Sequence, residues 1–207
     1  TRSEKTAALA NIRDGYLLRD ILSFDTIKDS IFVFNLLRLI AFQIGHDISY
    51  SELARNLDTH PKTVRRYLEL LEKTFVIFPR QGYSLNLRKE YTKTPRYYFW
   101  DNGIRNIIIS NLNDPSSRDD TGALWENYCV VERAKRNKYQ YILANSFYWR
   151  TYDQKEIDLV EEREGKLFGF EMKWGKADAK APKDFLQTYK GSSFEVINKE
   201  SYLDFIL

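Results

Sequence analysis

Residues 156–173 read EIDLVEEREGKLFGFEMK, two β-type runs that carry charged residues among apolar ones. The turn-forming residues between the runs are Glu164 and Gly165. We therefore predict a β-hairpin whose strands are residues 156–161 and 166–173. Because side chains alternate between the two faces of a strand, the register of this hairpin decides which side chains become neighbours.

Glu171 and Lys173 share one face of the second strand because they are two residues apart. A two-residue turn places Asp158 directly opposite Glu171. A four-residue turn places Asp158 opposite Gly169, and Glu171 is then its diagonal neighbour at about 7–8 Å between backbones. Both registers bring the two carboxylates together. The carboxylates repel each other unless they share a divalent cation with oxygen ligands, the ligands that Mg²⁺ prefers.

A surface hairpin with polar residues on its outer face is the alternative explanation. In a chain with 29% charged residues, the short D…E-x-K pattern alone favours that alternative. The residues around this pattern favour a functional site, because Val160 and Leu167 share the carboxylate face and bury part of it. Upstream, in GALWENYCVVE, Glu126 lies on a helical face with Cys129 and not on a plainly solvent-facing side. We expect Glu126 to reach the same cation.

The first half of the chain predicts a small helical domain. Residues 32–44 are apolar on nearly every side, as expected for a central helix, and Gly45 ends that helix. Ser49 and Glu52 form a capping box before a short second helix. Pro61 begins a third helix at helix-turn-helix spacing. The later β-type runs FVIF, YSLNL and PRYYFW are predicted to form the hairpin wing of a winged helix.

The third helix, PKTVRRYLELLEKT, separates an apolar face from a charged one. The charged face carries three cations, Lys62, Arg65 and Arg66. We predict that these cations contact DNA phosphates or base edges in a major groove. The alternative is that they only solvate the helix, since Glu69 nearby dilutes the positive charge.

Composition narrows the possible classes. The 207 residues carry 32 Lys and Arg against 29 Asp and Glu, a net charge of +3, so a polyanionic partner is permitted but not required. Cys129 is the single cysteine, which excludes an internal disulfide. His46 and His60 lie in unrelated turns and offer no histidine metal site. Because the apolar runs are shorter than the about 20 residues of a membrane span and no signal-like segment opens the chain, we expect a cytoplasmic protein without membrane contact.

The second half predicts an αβββαβ order with a mixed sheet. The polar, proline-containing stretch NDPSSRDD precedes it as the best linker candidate. The fold class is therefore mixed, α+β and α/β, with a winged helix-turn-helix first and an αβββαβ domain second. The predicted ranges are a helix over 120–136, β-type runs over 139–144 and 147–152 that together count as the first strand, strands over 156–161 and 166–174, a helix over 182–190 and a strand over 194–197.

The acidic pair, the E-x-K strand and the αβββαβ order resemble the PD-(D/E)XK nuclease superfamily. In that superfamily an Asp and the Glu of the E-x-K strand hold the metal. The resemblance implies that Asp158, Glu171 and Lys173 are catalytic. It also implies a Mg²⁺ ion held by Glu126, Asp158 and Glu171.

Four blocks, YFWDNGIRN, GALWENY, YWRTYDQKEIDLV and FEMKWG, resemble successive blocks in the C-terminal region of a family of uncharacterised prokaryotic AAA-type ATPases. The likeness spans essentially the whole chain. It implies that this chain, which begins without Met, is a piece of a longer protein with a preceding P-loop domain. The sequence contains no G-x-x-x-x-G-K-[ST], so ATP is expected only in that preceding domain. Asp101, Trp149 and Arg150 also match these blocks, but helix capping, core filling and charge neutralisation explain them.

The resemblance divides the chain into a linker helix after the ATPase (residues 1–24), a winged-helix domain (25–112) and a PD-(D/E)XK nuclease-like domain (119–207). We expect the first domain to bind DNA and the last to hydrolyse phosphodiesters with Mg²⁺. The alternative is a non-catalytic scaffold that couples the ATPase to a protein or nucleic-acid partner, since nuclease-like folds are reused for binding.

Overall fold

A computed structural model of the chain describes residues 2–17, 30–84, 94–175 and 179–207. Its contacts separate two compact units: unit 1 is Thr1–Pro79 with Arg96–Arg118, and unit 2 is Arg80–Pro95 with Asp119–Leu207. The described residues form helices and two sheets, so the predicted mixed α and β class is confirmed. None of the described helices is both long and apolar enough to cross a bilayer.

Unit 1 is mainly helical. Its strands pair with each other as a two-stranded sheet. Residues 18–24 of the predicted linker helix and residues 85–87 of the predicted wing lie outside the described residues. The elements are α1 (Arg2–Asn11), a π-helical turn (Ile12–Leu17), α2 (Ser30–Phe42), α3 (Tyr50–Asn56), α4 (Pro61–Lys73), β1 (Ile77–Arg80), β2 (Arg96–Phe99), α5 (Asn102–Ile108) and a 3-10 turn (Pro115–Ser117).

Side-chain caps and apolar faces set the helices of unit 1. The Ser49 hydroxyl accepts a hydrogen bond from the Glu52 backbone N–H at 3.3 Å. The Asp101 carboxylate accepts one from the Ile104 backbone N–H at 2.9 Å, so both predicted N-caps are confirmed. The apolar face predicted for α4 is fully buried and consists of Val64, Leu68 and Leu71.

Unit 2 contains a four-stranded sheet in the order β3-β4-β5-β6. The pairs β3–β4 and β4–β5 are antiparallel, and β5–β6 is parallel. The observed order is one helix, three strands, a helix, a strand and a final helix. The elements are α6 (Thr121–Tyr139), β3 (Asn145–Arg150), β4 (Glu156–Arg163), β5 (Lys166–Met172), α7 (Lys183–Thr188), β6 (Ser193–Ile197) and α8 (Tyr202–Ile206).

The strand predicted over residues 139–144 is wrong. α6 continues to Tyr139, and its last turn carries Arg136 and Lys138, cations that favour the C-terminus of a helix. Tyr141 then takes a positive φ of 56°, which breaks the helical path. Strand β3 begins only at Asn145.

Residues 80–84 and 94–95 belong to unit 2 by their contacts, whereas the sequence placed them inside the range 25–112. Tyr83 N–H donates to the Tyr148 carbonyl at 2.7 Å, and Tyr148 N–H donates to the Gln81 carbonyl at 3.0 Å, which attaches this segment to β3. A segment expected near the wing of the first domain therefore contributes to the core of unit 2. Tyr83 is buried there with Trp149, Ile157, Val160, Leu167 and Phe185.

A buried ion pair attaches α6 to the sheet. Arg133 donates to both carboxylate oxygens of Glu161 at 2.9 Å, and Asn137 donates to Oε1 at 2.6 Å. Arg133 also donates to the Phe205 carbonyl at 2.7 Å, which ties α8 to the same point. Burial acts to raise the pKa of Glu161, but the Arg133 and Asn137 hydrogen bonds outweigh it and hold that pKa below its usual range. The pair fixes the position of α6 on the sheet.

Candidate active site

The β4–β5 hairpin closes with a two-residue turn. Arg163 pairs with Lys166, so only Glu164 and Gly165 form the loop. Both take positive φ angles, 51° and 74°, which is the type of turn whose twist matches two antiparallel strands. Of the two registers that the sequence left open, the two-residue turn is the one that forms.

This register brings Asp158 and Glu171 together. The pairing runs to Leu159 opposite Phe170, and one further step along both strands reaches Asp158 and Glu171. Both carboxylates are buried, with exposed fractions of 7% and 9%. The Oδ2 atom of Asp158 accepts a hydrogen bond from the Met172 backbone N–H at 2.8 Å. That bond holds the Asp158 side chain against the end of β5.

The two oxygens of Glu171 have different surroundings. Oε1 accepts a hydrogen bond from the Lys173 ammonium at 2.6 Å. Oε2 is buried and accepts no hydrogen bond from the residues that the structure describes. The Lys173 side chain is 37% exposed, so the ammonium stands at the boundary between the acids and solvent. Burial acts to lower the pKa of Lys173, but Glu171, Asp158 and Glu126 outweigh it and raise that pKa, so Lys173 is a cation at neutral pH.

Crowded negative charge surrounds Asp158. Burial raises its pKa well above the usual aspartate value, and the charges of Glu126 and Glu171 raise it further. The Met172 N–H and the Lys173 ammonium offset only part of this rise. The free-energy cost of ionising Asp158 in the folded protein without a bound cation is therefore high.

Helix α6 brings a third acid to the cluster. Glu126 is half-buried and lies one turn before Cys129, which is fully buried. Burial, followed by the charges of Glu126 and Asp158, raises the pKa of the Cys129 thiol to about 12. This thiol is therefore protonated at neutral pH and is no nucleophile. Four predicted site residues interact in the structure: Glu126, Asp158, Glu171 and Lys173.

The acids are not disposed as a complete ligand cage. Within residues 2–17, 30–84, 94–175 and 179–207, no group of three or more His, Cys, Asp or Glu side chains is arranged to hold a metal ion. Asp158 and Glu171 lie one step beyond the Leu159–Phe170 pair of the antiparallel strands, and Glu126 contributes its charge from the neighbouring helix.

Other residues in the matching blocks have structural roles. Trp149 packs edge-on against Phe185 at 5.3 Å between ring centroids, inside the core of unit 2. Arg150 lies opposite Glu156 on the neighbouring strand, with 4.0 Å between the guanidinium and the carboxylate. Asp101 caps α5. None of these three adds an acid to the cluster.

The cations of α4 lie in unit 1 and face solvent. Lys62, Arg65 and Arg66 are all exposed. Arg65 forms an i,i+4 ion pair with Glu69 at 3.1 Å, so part of its charge is locally compensated, as the alternative explanation expects. His60 caps the same helix, since its Nδ1 accepts a hydrogen bond from the Lys62 backbone N–H at 3.2 Å.

Two features of the site were missed by sequence reasoning. The Met172 N–H that holds Asp158 is a backbone group, and the identity of a residue does not indicate which group its backbone N–H will bind. The sequence does show an aromatic residue next to two of the site residues, since Trp125 precedes Glu126 and Trp174 follows Lys173. Their spatial grouping depends on helix–sheet packing and could not be read from local spacing.

Two family models match the chain. A domain of unknown function (DUF8612) matches residues 1–116. A second domain of unknown function (DUF4143) matches residues 121–201, which include all four acidic and basic residues of the cluster. No solved structure shows significant similarity to the chain.

The relatives are uncharacterized prokaryotic proteins. Rv2008c of Mycobacterium tuberculosis and Mb2031c of Mycobacterium bovis are each 29% identical over 170 residues, which cover 78% of this chain and 37% of the relative. A protein of Haemophilus influenzae is 29% identical over 169 residues, covering 79% of this chain and 39% of the relative. The chain thus spans less than two-fifths of the length of these relatives.

Asp158→Asn should stabilise the fold at neutral pH. A raised folded-state pKa means that ionisation of Asp158 opposes folding above the usual aspartate range, and the amide oxygen can still accept the Met172 hydrogen bond. We expect about 1 kcal/mol of added stability at pH 7 by urea unfolding. The gain should vanish below about pH 4, where the aspartate is protonated in both states.

The matched control is Asp153→Asn, an exposed aspartate of the same unit, which should change stability by less than about 0.5 kcal/mol. Loss of stability in Asp158→Asn at pH 7 would contradict the account of crowded charge.

Proposed function

This chain belongs to the family described as a domain of unknown function (DUF8612), and we propose that its second unit is a Mg²⁺-dependent phosphodiesterase of the nuclease type. One observation carries the proposal: β4 and β5 bring two buried carboxylates, Asp158 and Glu171, beside the Lys173 ammonium. Acids that hold a cation, with a lysine that meets developing negative charge, are the groups that phosphodiester hydrolysis uses.

Mg²⁺ fits the donors that the chain offers. Among the described residues none donates a hydrogen bond to the buried Oε2 of Glu171, which leaves a hard oxygen ligand available. Burial, followed by the charges of Glu126 and Glu171, raises the pKa of Asp158, and a bound cation would favour its ionised form. Mg²⁺ commonly binds through one or two carboxylates and keeps several waters, so this pair suffices, with Glu126 as a further acid. A bound ion supplies an acidified water and charge neutralisation at the phosphate.

The other roles in the proposed hydrolysis belong to residues of the chain. The Met172 N–H keeps the Asp158 carboxylate turned toward the end of β5. Lys173 is positively charged and partly exposed, so its ammonium can leave Glu171 and contact a phosphate oxygen as negative charge develops there. Hydrolysis joins the water oxygen to phosphorus and breaks the bond from phosphorus to the leaving oxygen, which takes up a proton released by the water.

The first unit is proposed to bind DNA as a winged helix-turn-helix. The support is the arrangement of α3, a short turn, α4 and the β1–β2 pair, with exposed cations along α4. Such a helix can lie in a major groove with Lys62, Arg65 and Arg66 against phosphates. Since the relatives are more than twice as long as the aligned region, we further propose that the complete protein includes the AAA-type ATPase implied by the sequence resemblance.

Glu171→Gln should abolish metal-dependent cleavage. The amide retains the size of the side chain but removes the negative charge that a cation requires, so we expect a loss of at least about 100-fold in the rate. The assay incubates protein with plasmid and with single-stranded oligonucleotide in Mg²⁺ or Mn²⁺, with EDTA as the blank. Lys173→Met should also reduce the rate.

The control variant is Glu164→Gln, which changes an exposed glutamate in the turn of the same hairpin and should cleave as wild type does. Equal cleavage by wild type and Glu171→Gln would assign the activity to a contaminant. A wild-type protein that cleaves neither substrate would refute the enzymatic proposal and favour the non-catalytic scaffold.

Removing two cations from α4 should weaken duplex binding. A Lys62→Ala, Arg66→Ala double variant loses two phosphate contacts in the proposed complex. We expect about tenfold weaker binding to a labelled duplex by fluorescence anisotropy, and a salt dependence shallower by about 2 in slope. Lys73→Ala, at the exposed C-terminal end of the same helix, is the control. Unchanged duplex affinity in the double variant would show that α4 only solvates its domain.

A further inference from the structure

Four aromatic rings contact one another, two of them next in sequence to Glu126 and Lys173, and are called the aromatic platform: Trp125, Tyr128, Trp174 and Tyr202. Trp125 is at the centre. Its ring meets Trp174 edge-on at 5.4 Å between centroids and Tyr202 edge-on at 5.3 Å, and it stacks on Tyr128 at 5.9 Å. Tyr128 and Tyr202 are 6.2 Å apart. The platform is a connected surface built from α6, the end of β5 and α8.

The backbone attaches the platform to the candidate active site. Trp174 directly follows Lys173, and Trp125 directly precedes Glu126. The Ile197 carbonyl accepts a hydrogen bond from Lys173 N–H at 2.9 Å and another from the Trp125 indole N–H at 3.4 Å. One carbonyl of β6 therefore positions both the strand that carries the lysine and the central ring of the platform.

Core packing explains only part of this arrangement. Trp125 is buried, as a core residue is, but Trp174, Tyr128 and Tyr202 each keep part of their surface in solvent. The Lys199 ammonium lies 3.7 Å from the centroid of the Trp174 ring, and Lys199 itself is exposed. An exposed ammonium over a flat ring can be exchanged for a planar partner that stacks on the same face.

We infer that the aromatic platform stacks an unpaired base, so that the ligand of this site is single-stranded nucleic acid. Trp174 supplies the ring face, and the Lys199 ammonium moves to the neighbouring phosphate. Bases in a duplex already stack on each other and cannot reach a ring at the rim of the protein, whereas unpaired bases can. This inference rests on the proposed phosphodiesterase function, which supplies the reason for a phosphodiester next to Lys173.

The test measures binding without chemistry. Fluorescence anisotropy in EDTA compares a labelled single-stranded oligothymidine with a labelled duplex of the same length. Trp174→Leu should bind the single strand about tenfold more weakly and the duplex as wild type does. Trp174→Phe, which keeps a ring, should recover most of the single-strand affinity. Lys199→Met should lower the salt-dependence slope for the single strand by about 0.7.

The matched control is Tyr141→Leu, since Tyr141 is a 91% exposed aromatic of the same unit that makes no contact with the platform rings. Thermal unfolding of each variant confirms that it is folded. Unchanged single-strand affinity in both Trp174→Leu and Lys199→Met, or equal losses for single strand and duplex, overturns the inference. Single-strand binding that depends on Trp174 in a protein without cleavage activity supports the platform and refutes only the phosphodiesterase proposal.

Discussion

The two-residue turn at Glu164 and Gly165 is the constraint on which the candidate site depends. Both residues adopt positive φ, and the register that follows is counted from this turn. A slip of one residue along β5 would move Glu171 to the opposite face and replace it by an apolar neighbour. With the observed register, Asp158 and Glu171 meet at the end of the hairpin, where the Met172 N–H and the Lys173 ammonium can reach them.

Strand β4 carries two buried acids in opposite electrostatic conditions. Glu161 accepts hydrogen bonds from Arg133 and Asn137 and has a lowered pKa, so its charge is compensated within the fold. Asp158, three residues earlier, has a raised pKa because burial, Glu126 and Glu171 all oppose its charge. The first acid fixes α6 to the sheet, and the second is left short of positive charge. Sites that act on ligands commonly retain such uncompensated groups at a cost in stability.

Local chemistry in the sequence predicted much of this arrangement. The hairpin, its turn residues, the N-caps by Ser49 and Asp101, and the association of Asp158 with Glu171 follow from alternation and turn preferences, and the structure confirms them. Packing between residues far apart in sequence determined the features that were not predicted. The range 139–144 became the end of α6 and a turn, and Tyr83 joined the core of unit 2, because those outcomes depend on partners distant in sequence.

Asp158 and Glu171 are proposed to hold a divalent cation. The most direct measurement is anomalous diffraction from crystals of the wild-type protein soaked in Mn²⁺, which reports the position of the ion. One strong peak is expected in unit 2, about 2.0–2.6 Å from a carboxylate oxygen of Asp158 and from Oε2 of Glu171. A map without a peak between these two carboxylates would contradict the proposed cation site, whether or not Mn²⁺ binds elsewhere in the crystal.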